Sequence, residues 1–290
     1  QTEFRRRFAQ GLQFQANYTF QRAYTDTGGV NQNNFDPVLD IRNQNIEYQI
    51  ADYNAEHVFN FNGLYELPFG KGKRFFNDGG MANHILGGWQ FTSIIQVATG
   101  APITIVDPRG TLNRAGRATR QTPQSNLNND QIRDLIGIYR TPCGVFWIDP
   151  AVLNINQTNL ANGNCTALSA GTTGGFGSRP FGTAPASNQV FFPNAPGQFG
   201  NIGRTIANGP MYFNWDASLI KNISLDRFRE GMRFQIRGEA FNVLNRPNFF
   251  IGNVSGVATG TSFNINSTLF GRVGSTFSPR IIQFVGRLEF

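Results

Sequence analysis

The chain has 2 cysteines, Cys143 and Cys165, set within one long Gly- and Pro-rich stretch. An even count suits a disulfide in an oxidising compartment. It would close a loop of roughly twenty residues, worth about 3 kcal/mol in the chain-entropy model; two unrelated thiols are the alternative. A metal centre is not expected. His57 and His84 are remote in sequence, and no third or fourth ligand stands near either cysteine. His57 does have carboxylates close by, Asp52 and Glu56, but such a cluster at the start of a strand reads as solvated polar surface. There is no GxSxG elbow, no HExxH and no phosphate-binding Gly loop followed by lysine and serine. The chain is therefore expected to be no enzyme and to carry no cofactor.

The cations raise a second possibility. The formal net charge is +7, which invites a nucleic-acid reading. The arginines fall in scattered, loop-like places (Arg5, Arg6, Arg7; Arg114, Arg117, Arg120; Arg227, Arg229), with no recognition helix beside them. No nucleic-acid partner is expected, and anionic lipid headgroups suit scattered cations better. Lys71, Lys73 and Arg74 form a further cluster, read as a solvated basic edge.

What positions these residues is a set of strands. Charged residues make up 15% of the 290 and aromatics 13%, with Phe 28 far ahead of Trp 3; a soluble domain carries about 25% charge. Disorder is excluded by the aromatics, and a helical bundle by the weight of Asn, Gly, Thr and Phe. Ile85–Val106 is uncharged and long enough for a membrane helix, but its glycines, glutamines and Pro102 argue against one.

Alternation with period two is the main signal. In Gly11–Tyr24, Leu12, Phe14, Ala16, Tyr18 and Phe20 oppose Gln13, Gln15, Asn17, Thr19 and Gln21. The same pattern sets Phe59, Phe61, Tyr65 and Leu67 against Asn60, Asn62 and Glu66. It recurs in Trp89–Val97, in Phe213–Leu219 (with Asn214 and Asp216 on the polar side), in Phe234–Ala240 (Gln235, Arg237, Glu239) and in Arg280–Phe290. A soluble sandwich also alternates. Here the polar face is Gln, Asn and Thr, as in a wet lumen, and aromatics gather at both strand ends, as in the girdles of a transmembrane β-barrel. The expected fold is all-β: an antiparallel transmembrane β-barrel with long extracellular loops. Lumen-facing polar residues are then Gln13, Gln15, Asn17, Asn60, Asn62, Asn214, Asp216, Gln235, Arg237 and Glu239. Arg237 and Glu239 should form polar ties, since a charge facing lipid at mid-depth costs ~2–4 kcal/mol.

The connections Thr25–Ala55, Ala98–Pro210 and Asn245–Pro279 are long, while Pro68–Leu86 and Ser224–Met232 are shorter. Long loops outside and short turns in the periplasm put the C-terminus in the periplasm of a Gram-negative cell, although Pro68–Leu86 stands out as long for such a turn. The loop over residues 98–210 exceeds what loops without function run to. Its Arg109, Arg114, Arg117 and Arg120, with the cysteine pair, suit either a lid that captures or gates a solute, or a cover that contacts lipopolysaccharide phosphates. Six strong strands are too few for a closed barrel, and an open edge cannot face lipid. Residues 1–290 therefore read as a piece of one larger barrel, with neither plug nor signal peptide in Gln1–Gln10.

Several segments carry a resemblance. LPFGKGKRF at Leu67–Phe75 followed by GGWQ at Gly87–Gln90, GNIGRTIANGPMYFNWDASLI at Gly200–Ile220, EAFNVLNRPNF at Glu239–Phe249 and a closing strand ending in Phe290 resemble the barrel of Oar-like TonB-dependent transporters of acidobacterial type. The resemblance implies the C-terminal strands of a 22-stranded barrel whose plug and TonB-contacting box lie upstream. It implies energy-coupled uptake of an unknown solute caught by extracellular loops, with the TonB complex, outer-membrane lipid and lipopolysaccharide as partners. It also implies that Phe290 is read by the barrel-assembly machinery. The rival is a non-transporting adhesin or structural surface protein anchored by the barrel.

Overall fold

The computed structural model describes residues 1–26, 42–51, 53–77, 83, 85–108, 121–169, 175–177, 188–249 and 263–290. Seven strands form one sheet: β1 (Thr2–Ala9), β2 (Leu12–Phe20), β3 (His57–Glu66), β4 (Trp89–Ala98), β5 (Tyr212–Ser224), β6 (Arg233–Phe241) and β7 (Ile281–Glu289). Each strand pairs antiparallel with its neighbours in sequence, and β1 and β7 stand at the two edges. No helix among the described residues is long and apolar enough to cross a membrane; Trp89–Ala98, within the uncharged stretch, is a strand.

Six of these strands follow from alternation. The seventh, β1, corrects the reading of Arg5, Arg6 and Arg7 as loop residues: they lie in a strand registered on β2, with Arg5 opposite Gln15 and Arg6 opposite Phe14. The hairpin is closed by Gln10 and Gly11, both at positive φ (54° and 80°). Such a pair matches the twist of the flanking strands, and glycine takes this conformation without strain.

Register carries the alternation from strand to strand, so the sheet has two chemically distinct faces. On the apolar face, Tyr18, Phe59, Val97 and Phe213 form one cross-strand row. Leu12, Tyr65, Phe91 and Leu219 form another, six residues further along each strand. At about 3.3 Å per residue, the two rows lie roughly 20 Å apart. Between them sit Phe14, Ala16, Phe61, Ile95 and Trp215. The one indole N–H in that band donates to Ser93 Oγ at 3.0 Å.

The β1–β2, β3–β4 and β5–β6 connections lie at one end of the sheet, the other three at the opposite end. The segment between β3 and β4 braces itself. Phe75 N donates to Pro68 O and Gly70 N to Phe75 O, while Asn83 Oδ1 accepts from Lys71 N at 2.6 Å. Its GGW motif has a steric reason: Gly88 has φ +71°, and a Cβ there would meet Asn222 O at 2.4 Å. This internal bracing accounts for a turn that is long yet compact among its described residues.

At the other end the long connections build a folded cap. The hairpin Ile136–Thr141/Gly144–Ile148 stands beside α1 (Asn129–Asp134), which Asn128 and Gln131 close with a capping box. Asn156 caps α2 (Gln157–Ala161), and Gln124–Ser125 pairs with Phe191–Phe192. Ile132, Phe146, Ile148, Leu153, Ile155, Leu160, Phe176 and Phe191 share one buried core. The final long connection adds Ile265 and Phe270 to it. Ile265 N donates to Val106 O, Trp147 N to Gly271 O, and the rings of Phe191 and Phe270 meet edge-on at 5.4 Å. The β2–β3 connection joins through a buried ion pair, Arg204 Nη1 to Glu47 Oε2 at 3.0 Å.

Candidate functional site

The cap stands at one end of the sheet, and the residues singled out by alternation share the sheet's polar face. One row runs Glu3, Asn17, Asn60, Gln96, Asn214 across β1 to β5; the next runs Arg5, Gln15, Asn62, Ile94, Asp216. Gln13 faces Leu64, which faces Thr92 and then Ser218, Glu239 and Gln283. Arg237 faces Ile220, and Gln235 faces Asn222. All ten candidate polar residues therefore share one face.

Their partners differ along that face. Arg237 Nη2 lies 2.6 Å from Glu239 Oε1, and Gln283 donates to the same carboxylate. The two charges therefore neutralise each other within one strand. Asp216 accepts from Asn242 N at 2.8 Å, tying the face to the connection after β6. Gln235 Nε2 donates to Asn222 Oδ1 at 2.9 Å, and Gln15 Nε2 to Glu3 Oε1 at 3.1 Å. Thr92 and Ser218 share a hydroxyl hydrogen bond of 2.5 Å. Among the described residues, the side-chain amides of Asn60, Asn62, Gln96 and Asn214 hold no hydrogen bond. They offer donors and acceptors to whatever fills the space in front of them.

Some members of this surface escape strong alternation. Glu3 and Arg5 sit on β1, whose arginine run hid its period. Gln90, Thr92 and Gln96 were legible as polar positions of β4, and Glu66 binds both Lys73 (2.5 Å) and Gln90 (3.2 Å) near the short-turn end.

Other candidates are dispersed. Cys143 and Cys165 are joined as a disulfide with Cα atoms 5.2 Å apart, in the cap. Arg109, Arg114, Arg117, Arg120, Asp52 and His84 lie outside the described residues. His57 is drawn away from its carboxylate neighbours: its Nδ1 pairs with Tyr18 OH at 2.8 Å, while Glu56 is held by Arg22 at 2.5 Å. That hydrogen bond to Glu56 raises the Arg22 pKa. In the cap, burial pushes the Tyr139 hydroxyl above its ordinary value, and the Asp149 carboxylate adds to the shift. Phe290 stands exposed after β7, at the short-turn end.

The arrangement is an antiparallel meander with one apolar face, interrupted by Arg6 on β1, aromatic rows near its two ends and a polar opposite face, and it suits a wall between lipid and water. No curated protein and no solved structure matches the chain. A family model described as an outer membrane beta barrel domain matches residues 1–283. The chain belongs to this family of outer-membrane β-barrels, and its sheet resides in the lipid of the outer membrane.

Proposed function

We propose that this chain forms the C-terminal strands of the barrel of an Oar-like, TonB-dependent transporter, which takes up a solute caught by extracellular loops. The observation that carries the reading is a polar sheet face with open amides, on a sheet whose long-connection end carries a cap with its own core and disulfide. A solute path needs a wet wall and a structured mouth, and these two features supply them. In this reading the long connections are extracellular, the short turns and Phe290 periplasmic, and Phe290 serves the assembly machinery. Among the described residues, β1 and β7 each leave one edge unpaired. Since an unpaired backbone edge in lipid costs several kcal/mol per group, further strands, with a plug and TonB-contacting box, complete a 22-stranded barrel.

The self-contained cap also favours a second reading, an adhesin anchored by its barrel, because a rigid disulfide-braced exterior suits binding at a surface. Untargeted mass spectrometry of spent medium separates the two. Cells carrying the full-length protein should deplete at least one solute, and the depletion should vanish when TonB is removed. Equal depletion in all strains, with surface attachment that depends on the protein but not on TonB, would overturn transport.

A further inference from the structure

Cations that are scattered along the sequence meet at one end of the sheet. The β1–β2 turn is preceded by Arg7 and Phe8. The β3–β4 connection carries Lys71, Arg74, Phe75 and Phe76, and the β5–β6 connection carries Arg227, Phe228 and Arg229. Sheet order places these three turns side by side, at intervals of roughly 10 Å for two strand spacings. All four phenylalanines are exposed, from 46% at Phe75 to 79% at Phe228. Arg7, Lys71, Arg74, Arg227 and Arg229 are exposed as well, and among the described residues none makes an ion pair.

The acids at this end are largely occupied. Glu66 is held by Lys73, and Glu289 by Arg233 and Arg287. Asp226 is turned into its own turn, where it accepts from Ser224 Oγ and Gly231 N. Glu230 alone among them lacks a partner in the described residues. Each turn thus offers surplus positive charge beside an exposed aromatic ring, where the lipid-facing side of the sheet ends; in the β3–β4 turn Arg74 lies over the Phe75 ring at 5.5 Å, and Phe75 and Phe76 contact Phe69.

We infer that these three turns dock anionic glycerophospholipid headgroups. The guanidinium and ammonium groups take the phosphodiester, while the rings enter the acyl boundary beside it. Charge complementarity and continuity with the lipid-facing face select this occupant. An acidic protein would satisfy the cations but would leave the exposed rings of Phe8 and Phe228 without a reason. The assignment to the phospholipid leaflet rests on the reading above that the short turns face the periplasm.

The test uses the full-length protein in nanodiscs of mixed phosphatidylglycerol and phosphatidylcholine, with retained lipids counted by native mass spectrometry. Wild type should retain phosphatidylglycerol preferentially. Neutralising Arg7, Lys71, Arg74, Arg227 and Arg229 to glutamine should reduce that preference at least tenfold, given roughly fivefold per cation near an anionic surface. Arg133→Gln with Arg140→Gln, in the cap, should leave it unchanged. An undiminished preference in the five-residue variant overturns the proposal, and so does displacement of phosphatidylglycerol by added lipopolysaccharide. Orientation is read separately, by maleimide labelling of Glu230→Cys and Asp134→Cys in intact cells. Labelling at position 230 without permeabilisation would overturn the periplasmic assignment and leave the nanodisc result standing.

Discussion

The sheet and the cap use the same residue type in opposite ways. On the sheet, Phe4, Phe20 and Phe284 stand 65%, 51% and 81% exposed. In the cap, Phe146, Phe176, Phe191 and Phe270 are no more than 2% exposed. One solvent cannot account for both. In water, burial of a phenylalanine removes apolar surface from the solvent and organises a core; in a bilayer the acyl chains already provide that environment. The sheet is therefore held by backbone ladders and by its polar face, and the cap by interior packing. A single chain changes its rule of construction where it leaves the lipid.

That contrast can be broken or sharpened by substitution. Phe146→Ala, at the fully buried centre of the cap, should destabilise the cap by about 3–5 kcal/mol through lost burial and cavity formation. Protease sensitivity of the cap, measured beside heat-modifiable gel mobility of the barrel, should show the loss confined to the cap. Removing the disulfide by Cys143→Ser with Cys165→Ser should cost the cap about 3 kcal/mol, read by the same pair of measurements. A barrel that unfolds together with the cap would erase the distinction.

A smaller effect separates the two faces of the sheet. Phe61→Arg, at the middle of β3 on the lipid side, should cost about 2–4 kcal/mol in folding into vesicles, while Asn62→Arg next to it should cost close to nothing. Equal costs would contradict the assignment of faces. The smallest effect expected is in the cap's pH dependence. Folding raises the Tyr139 pKa, so the protonated phenol favours the folded state. This contribution is complete below the ordinary tyrosine value of about 10 and is lost as pH rises through the raised value. Alkaline titration of cap stability should fall less steeply in Tyr139→Phe than in wild type.

The difference between the regions also decides what the sequence makes legible. Strands β2 to β7 alternate because lipid on one side and water on the other impose a period of two, which any window displays. Strand β1 escapes because Arg5 and Arg6 put a charge on each face and the register shifts between Arg6 and Ala9, and Arg6 on the lipid side places its guanidinium on Ala9 O. The ten polar residues share one face because register follows from the same period. The cap has no such regularity. Phe146, Leu153, Leu160 and Phe191 come from short elements separated by Asn, Gly and Pro, and nothing local tells them from loop residues. Their core exists only through long-range contacts, of which the cysteine pair was the one visible sign. The turn cations were visible as residues but not as neighbours, since only strand order brings them to one end.

The cap's core has a consequence in time. Its members run from Ile105 to Phe270, and Ile265 and Phe270 belong to the connection between the last two strands. Contacts so distant in sequence form late, after the intervening chain has been brought together. The residues between β4 and β5 cannot complete their interior by themselves, because part of it arrives from beyond β6. The cap is accordingly the last part of the molecule to close. Its closure reports that the final hairpin has reached its place, and a nascent barrel that stalls before β7 would carry an unfinished, protease-sensitive cap.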